Sequence, residues 1–451
     1  MPLQTIRQAA PDGGVESSGP EVWPLQGECV SQHALSSEGS SSDKAAESKP
    51  LRLSAPIPLL HRKGEFIRAV CVNALNGSQL AVSLSRGVQQ LELVSELASS
   101  PYLDSPSVSE RSASSSQPQS DWLSWGVGVK NAATRLTETS FGATGEPLTV
   151  LQSSGSDLTA RCLCAHPKLP LYLAGGDSVV QCWQFGQTIQ GRGLQDHVRA
   201  QYRLPSGGSV SSLRFSPCGE QFGSVDLGGS LCLWRFQNGA DMPLPFSRLQ
   251  CHSKRASDLC FVGSSIVLAT VGASGSGAVR SLGLWDVLLP PSQALVAACD
   301  AHDDGGCCVI HWAEQASLVS GGMRGDISVF DLRQRRVRTR FNAHTLATRS
   351  LVFSDTGRHC FSASANGDMK LWDLSAQENT GHTAQWLRAH EPHTMLHPLA
   401  GTTLGRTYGI NSMVKDDSVS SSVDPPRLLT AGADGKLNMW LYLAKDAVCP
   451  E

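Results

Sequence analysis

Met369-Lys370-Leu371-Trp372-Asp373 is a short segment whose pattern returns several times along the 451-residue chain. Each copy carries apolar residues in near alternation and ends at an aromatic side chain, which is typical of a short β-strand. The other copies are Val179-Val180-Gln181-Cys182-Trp183, Leu231-Cys232-Leu233-Trp234, Leu282-Gly283-Leu284-Trp285-Asp286, Ile327-Ser328-Val329-Phe330-Asp331 and Leu437-Asn438-Met439-Trp440. Their aromatic residues, from position 183 to position 440, are 51, 51, 45, 42 and 68 residues apart. This recurrence of the segment predicts one strand-rich unit repeated along the chain.

A repeat of about 40–45 residues that ends in a strand carrying Trp-Asp is typical of WD-repeat β-propellers. In one unit, residues 348–353 alternate as a strand, Asn366-Gly367 is a tight hairpin signal, and residues 369–374 form another strand. Because a lone set of strands exposes both faces, neighbouring units must cover it. We therefore predict an all-β fold, a seven-bladed WD-repeat β-propeller. Its units are expected at 56–94, 158–185, 210–236, 252–287, 302–332, 344–374 and 390–443.

Two stretches of the chain lack this strand pattern. Residues 1–50 and 98–120 are rich in serine and other small or polar residues, and they cannot bury enough apolar area to offset chain entropy. We predict that both are disordered, the second as an insertion that continues into an amphipathic helical segment at 121–138. The first blade is then expected at 51–97 and the remaining blades at 150–443.

The composition argues against several partners and locations. Charged residues make up 17% of the chain and the net charge is −3, so no basic excess attracts nucleic acid. No apolar signal region and no run of about 18 apolar residues is visible, so we expect neither secretion nor a membrane span. The 14 cysteines follow no disulfide spacing, and we predict buried, reduced thiols in a cytoplasmic protein. Six of them lie within predicted strands: Cys71, Cys182, Cys232, Cys260, Cys308 and Cys360.

The chain resembles WD-repeat proteins, whose blades are typically held by a buried polar network. The network joins a His before the blade, a Ser or Thr, an Asp in the tight turn, and the Trp. The resemblance implies this structural role for His344, Asn366 (in place of the Asp), Trp372, Thr430, Asp434, Trp440, Asp177 and Trp183. It also implies the role of the preceding His for His390. The fifth unit departs from the pattern, with Arg324 and Phe330.

No motif in the sequence predicts chemistry, so we expect a protein that is not an enzyme and has no cofactor. His390 and His393 flank Pro392, which breaks the helix that a metal-binding His pair would need. The glycine-rich residues 272–277 are followed by no helix whose N-terminus could hold a phosphate. We therefore predict no catalytic, cofactor-binding or metal site.

Residues 333–340 form the one basic cluster of the sequence. Its arginines are Arg333, Arg335, Arg336, Arg338 and Arg340. In one interpretation they are the solvated outer edge of a sheet, where charge opposes aggregation. In the other they bind an acidic protein surface or anionic lipid head groups.

Trp122 and Trp125 begin the segment that follows the second predicted disordered stretch. Apolar residues continue at helical spacing to Leu136, although Gly126 and Gly128 weaken a helix. The two tryptophans are either docked on the propeller or exposed to bind a partner.

Several segments resemble the DmX-like, or rabconnectin-3, family more specifically than the Trp-Asp repeat alone does. They are Leu123-Ser124-Trp125-Gly126-Val127-Gly128-Val129-Lys130-Asn131-Ala132-Ala133, Phe222-Gly223-Ser224-Val225-Asp226, and residues 249–258, 268–272, 284–286, 320–325 and 431–437. The resemblance runs over about 56–443 and is to the C-terminal propeller of these long proteins, which also carry another propeller and a helical region.

The resemblance implies a function. The fungal member acts in the RAVE complex, which reassembles the cytosolic sector of the vacuolar proton pump (V-ATPase) onto its membrane sector, and animal members promote vesicle acidification. It implies a non-catalytic scaffold with V-ATPase and RAVE-like subunits as protein partners. The expected location is cytoplasmic, peripheral on vacuolar, endosomal or vesicle membranes through those partners. The alternative is a generic WD-repeat adaptor in ubiquitin ligation or vesicle trafficking.

Overall fold

The structure, a computed structural model, describes the strand-rich part of the chain. The described residues are 51–85, 87–93, 149–151, 159–186, 198–237, 243–263, 266–273, 275, 281–374, 382–395, 406–418 and 426–443. The segments predicted to be disordered or helical (1–50, 98–120 and 121–138) lie outside these residues. Within the described residues, no helix is both long enough and apolar enough to cross a bilayer.

The described residues form 31 β-strands and one 3₁₀ turn, Ala313–Gln315. In chain order the first five strands are β1 (Arg52–Leu53), β2 (Ile57–His61), β3 (Ala69–Asn73), β4 (Asn76–Leu84) and β5 (Gly87–Glu92). The next five are β6 (Thr149–Leu151), β7 (Cys162–Ala165), β8 (Leu171–Gly175), β9 (Val179–Gln184) and β10 (Ala200–Arg203). Then follow β11 (Val210–Phe215), β12 (Gln221–Asp226), β13 (Ser230–Arg235), β14 (Ser247–Gln250), β15 (Arg255–Val262), β16 (Val267–Ala273), β17 (Leu282–Asp286) and β18 (Leu295–Cys299).

The remaining strands complete the fold. They are β19 (Gly306–Trp312), β20 (Ser317–Gly322), β21 (Asp326–Asp331), β22 (Arg336–Asn342), β23 (Thr348–Phe353), β24 (His359–Ser364), β25 (Asp368–Asp373), β26 (His382–Arg388), β27 (His393–Met395), β28 (Arg406–Tyr408), β29 (Ile410–Lys415), β30 (Arg427–Gly432) and β31 (Lys436–Leu443). The short strands β27 and β28 pair only with each other, in a hairpin before the last blade.

These strands form seven antiparallel sheets that are the blades of a β-propeller, so the predicted fold class is confirmed. The first six blades are β3–β6, β7–β10, β11–β14, β15–β18, β19–β22 and β23–β26, and the last is built on β29–β31. The first strand of each blade packs beside the first strand of the next, and β29 packs beside β3. The ring is therefore closed around an axis lined by the innermost strands.

The last blade is completed by the beginning of the described chain. Leu53 pairs with Tyr442 and Ile57 pairs with Met439, so β1 and β2 together form an outer strand along β31. The sequence placed residues 51–97 in the first blade, whereas in the structure β1 and β2 belong to the last blade and β6 supplies the fourth strand of the first. The physical reason is that β31 would otherwise present an unpaired edge at the end of the ring.

Apolar residues fill the spaces between neighbouring blades. Tyr202 on the outer strand of the second blade packs against Phe222 and Trp234 of the third, with ring centroids 4.8 and 5.5 Å apart. Central strands such as β20 are buried at every residue, because each blade is covered on both faces. The six cysteines predicted to be buried in strands are buried and free, which confirms that part of the sequence analysis.

Candidate functional site

The last blade contains the complete polar network that the WD-repeat resemblance implied. The Trp440 indole N–H donates to the Thr430 hydroxyl at 3.0 Å, and that hydroxyl lies 2.8 Å from Nε2 of His390. The other ring nitrogen, Nδ1, lies 2.9 Å from the Asp434 carboxylate. The imidazole therefore bridges the Asp434 carboxylate through Nδ1 and the Thr430 hydroxyl through Nε2. Every polar atom of this buried set is therefore paired.

The charge of Asp434 is tolerated in this half-buried place for a specific reason. Burial by itself raises the pKa of the Asp434 carboxyl, but the hydrogen bond and charge of His390 and the backbone N–H groups of Lys436 and Glu391 outweigh it. The pKa is lowered overall, and the carboxylate stays ionised. The arrangement holds β30 and β31 of the last blade to the loop that carries His390.

In the sixth blade the network is incomplete. His344 Nε2 and the Trp372 indole N–H both lie 2.7 Å from the Ser362 hydroxyl. Asn366, expected to replace the Asp, does not reach the imidazole but donates to Asp368 at 2.6 Å. Nδ1 of His344 is buried with no hydrogen-bond partner among the described residues. Burial and the nearby charge of Lys370 lower the pKa of His344 to about 3, so the imidazole is neutral.

The fifth blade has a network that the sequence analysis missed. His302 Nδ1 lies 2.6 Å from Asp326, and Nε2 lies 2.8 Å from the Ser320 hydroxyl. Arg324 occupies the turn position where WD repeats usually carry the Asp, and Asp326 lies two residues later. Phe330 occupies the Trp position and makes no hydrogen bond to His302, Ser320 or Asp326. Two signals were available in the sequence: a His before the blade, and an Asp four residues before the aromatic residue.

The second blade does not bring its two predicted residues together. Asp177 forms an ion pair with Arg161 at 3.2 Å and accepts a hydrogen bond from Ser209. The Trp183 indole N–H is buried, and no described residue accepts its hydrogen bond. Asp177 therefore contacts the neighbouring loops rather than the tryptophan.

The fourth blade has a further partial network, which the sequence analysis also missed. His252 Nε2 lies 3.2 Å from the Thr270 hydroxyl, and the Trp285 indole N–H donates to the same hydroxyl at 2.9 Å. These sets join strands within a blade to the loop before it. Their burial leaves them with a structural role.

The basic cluster lies on the turn before β22 and on β22, the outermost strand of the fifth blade. Arg340 donates to Asp326 and to Asp303, each at 2.9 Å, so it serves the polar network of the blade. The other four arginines are exposed: Arg333, Arg335, Arg336 and Arg338. They make a row of positive charge along one outer edge, which both interpretations of the sequence require.

The remaining candidates are the two tryptophans and a possible metal site. Trp122 and Trp125 lie outside the described residues. Across the part of the chain that the structure describes, no group of three or more His, Cys, Asp or Glu side chains is arranged to hold a metal ion.

The seven blades, with buried His–Ser/Thr–Trp sets in the fourth, sixth and last, define a WD-repeat β-propeller. The family model of the WD domain, G-beta repeat, matches residues 335–373, which hold β22 to β25. WD repeats are therefore present in this chain, as the recurring Trp-Asp segments predicted.

The particular proteins that this chain is similar to are DmX-like proteins. It is 28% identical to DmX-like protein 1 of Mus musculus over 399 residues, and equally identical to DmX-like protein 1 of Homo sapiens. Each match covers 84% of this chain, which confirms the resemblance to the DmX-like family. Each covers 12% of the relative, so this chain spans a small part of the length of the curated relatives it matches.

Proposed function

We propose that this chain is a non-catalytic scaffold that promotes assembly of the vacuolar proton-translocating ATPase, and through it vacuolar or vesicle acidification. The WD-repeat propeller and the similarity to DmX-like proteins indicate a scaffold that binds proteins. The single observation that supports the finer role is the DmX-like match over 84% of the chain. Its partners in this proposal are V-ATPase subunits and RAVE-like subunits. They hold it, from the cytoplasm, at vacuolar, endosomal or vesicle membranes.

One contact surface in this proposal is the arginine row, which we define as Arg333, Arg335, Arg336 and Arg338. These side chains are exposed on one outer edge, and their guanidinium groups can form paired hydrogen bonds with carboxylates of a partner. The chain as a whole has a net charge of −3, so a positive edge of this kind would orient an acidic partner. We propose residues 121–138, with Trp122 and Trp125, as a second contact.

The proposal is tested by purifying the tagged chain from cells and quantifying the co-purified proteins. We expect V-ATPase subunits with the wild-type chain and their loss with R333E/R335E/R336E/R338E. A matched control reverses four exposed charges elsewhere. Its substitutions are K63E, K168E, R203E and R248E. We expect the control to retain the pump subunits.

The alternative function has a distinct outcome in the same experiment. Recovery of ubiquitin-ligase or vesicle-coat components without pump subunits would favour a generic WD-repeat adaptor. Equal loss of pump subunits in both charge-reversed variants would show that the arginine row is not the contact.

A further inference from the structure

Four arginines from four blades surround the mouth of the axial cavity. The cavity has a volume of about 420 Å³ and lies at the end of the ring where the innermost strands begin. Arg68 and Arg161 directly precede β3 and β7, Arg255 begins β15, and Arg349 is the second residue of β23. The first, second, fourth and sixth blades therefore each place one guanidinium at the same opening.

Positive charge dominates this opening. None of the described residues that line the cavity is an Asp or Glu. The Asp177 carboxylate forms an ion pair with one of the four arginines, Arg161, at 3.2 Å. The Arg349 guanidinium lies 5.9 Å from the centroid of the Tyr408 ring. The described lining thus contains four guanidinium groups and no carboxylate.

Arg68 shows the electrostatic consequence of this crowding. Burial, and then repulsion by Arg161, lower the pKa of the Arg68 guanidinium. Arginine nevertheless stays charged at neutral pH, because its ordinary pKa is far above neutral. An anion bound in the cavity would relieve this repulsion.

We infer that the mouth of the axial cavity binds a compact small molecule that carries two or more phosphate groups. The planar guanidinium fork matches the oxygens of phosphate, and forks converging from several blades favour a ligand with charge on several sides. A volume of about 420 Å³ lies in the range of small-molecule sites and is too small for a folded partner. The site is separate from the arginine row, which lies on the outer edge of the fifth blade.

The test uses tripolyphosphate as the probe and isothermal titration calorimetry at physiological ionic strength. We expect one tripolyphosphate per wild-type chain and an affinity at least about tenfold lower for R68Q/R349Q. The matched control, R333Q/R338Q, removes the same charge from the arginine row and is expected to stay within about twofold of wild type. R68K/R349K keeps both positive charges but removes the two planar guanidinium groups. It is expected to weaken binding less than the Gln pair, and it serves if the Gln pair fails to fold.

Three results would overturn the inference. The first is no binding of tripolyphosphate to the wild-type chain. The second is an equal loss of affinity in R68Q/R349Q and R333Q/R338Q, which would mean that the probe responds to net charge alone. The third is tighter binding of an Asp/Glu-rich peptide of equal charge, which would assign the opening to an acidic protein segment.

Discussion

Thr430 is the residue on which the best-formed polar network depends. Its hydroxyl accepts a hydrogen bond from the indole N–H of Trp440 and is hydrogen-bonded to Nε2 of His390. The side chain of Thr430 is completely buried. A buried donor or acceptor that loses its partner costs about 1–3 kcal/mol. A single hydroxyl therefore provides the hydrogen-bond partner of two buried polar groups, the Trp440 N–H and the His390 Nε2.

Substitution of Thr430 by Val should remove that hydroxyl with little change of shape. We expect the free energy of unfolding to fall by about 2–4 kcal/mol, because the Trp440 N–H and the His390 nitrogen are left unpaired. Thr339→Val, on the outer strand β22, is the matched control and should change it by less than about 0.5 kcal/mol. Urea unfolding followed by tryptophan fluorescence measures both. Equal stability of the two variants would contradict the role given to the network.

The buried imidazole of His344 gives a pH dependence whose sign is fixed. Its pKa is about 3 in the folded chain and 6.5 when unperturbed, so between these values the unfolded chain binds the extra proton. Stability from this group is complete above pH 6.5 and is lost as the pH falls towards 3. At pH 5 the loss relative to neutral pH amounts to about 2 kcal/mol.

We therefore expect the free energy of unfolding of wild type to fall between pH 7 and pH 5, and to fall less in His344→Gln. The comparison uses the slope against pH, since the substitution also removes the bond to Ser362. Other buried or half-buried histidines with lowered pKa values act in the same direction in both proteins. They are His166, His311 and His359. Identical slopes for wild type and variant would exclude His344 as a source of the dependence.

At the residue scale, part of the site was predictable from the sequence. Thr430, Asp434 and Trp440 were identified through the resemblance of the last unit to WD-repeat blades. Asp326 was missed because a carboxylate can reach the buried imidazole from two positions. One is the tight turn, where an Asp was expected, and the other is the first residue of the following strand, where Asp326 lies. Asn366 occupies the turn position, but its amide bonds Asp368 instead of the ring.

At the scale of elements, β1 and β2 were the part that the sequence analysis assigned differently. They pair with β31, almost the whole described chain away. Hydrophobic alternation identifies a strand but carries no information about a partner so distant in sequence. The requirement that the ring leave no open edge is a property of the fold, and it appears only when the blades are assembled.

Leu60 tests the contribution of this closing strand. It is 3% exposed on β2 and belongs to the apolar cluster between the last and first blades. Leu60→Ala should lower the free energy of unfolding by about 2–5 kcal/mol, as truncation of a buried leucine does. Leu75→Ala is the control, because Leu75 is 59% exposed, and it should have little effect. Thermal unfolding that is equally unchanged in both variants would argue against closure through β2.

For the whole molecule, burial of both faces of every blade protects the interior thiols. Burial is the main cause that raises the pKa of Cys182 and Cys360 to about 12, so little reactive thiolate forms at neutral pH. This burial was predictable, because small apolar thiols sat within alternating strands. The position of the four arginines around the axis was not, since they come from four blades that only the ring brings together.

We expect the six buried strand cysteines to resist alkylation by iodoacetamide in the native protein and to react after unfolding in urea. Mass spectrometry of the peptides measures each site separately. We expect all six cysteines to lose protection at the same urea concentration, because the closed ring unfolds as one unit. Rapid native labelling of Cys182 or Cys360 would contradict a fully packed propeller.

In the proposed function, this propeller supports assembly of the vacuolar proton pump. The most direct measurement is the fraction of the pump's cytosolic sector bound to membranes in cells depleted of this chain. We predict that the fraction falls, that the wild-type chain restores it, and that R333E/R335E/R336E/R338E does not. A fraction that stays unchanged on depletion would contradict the proposed function.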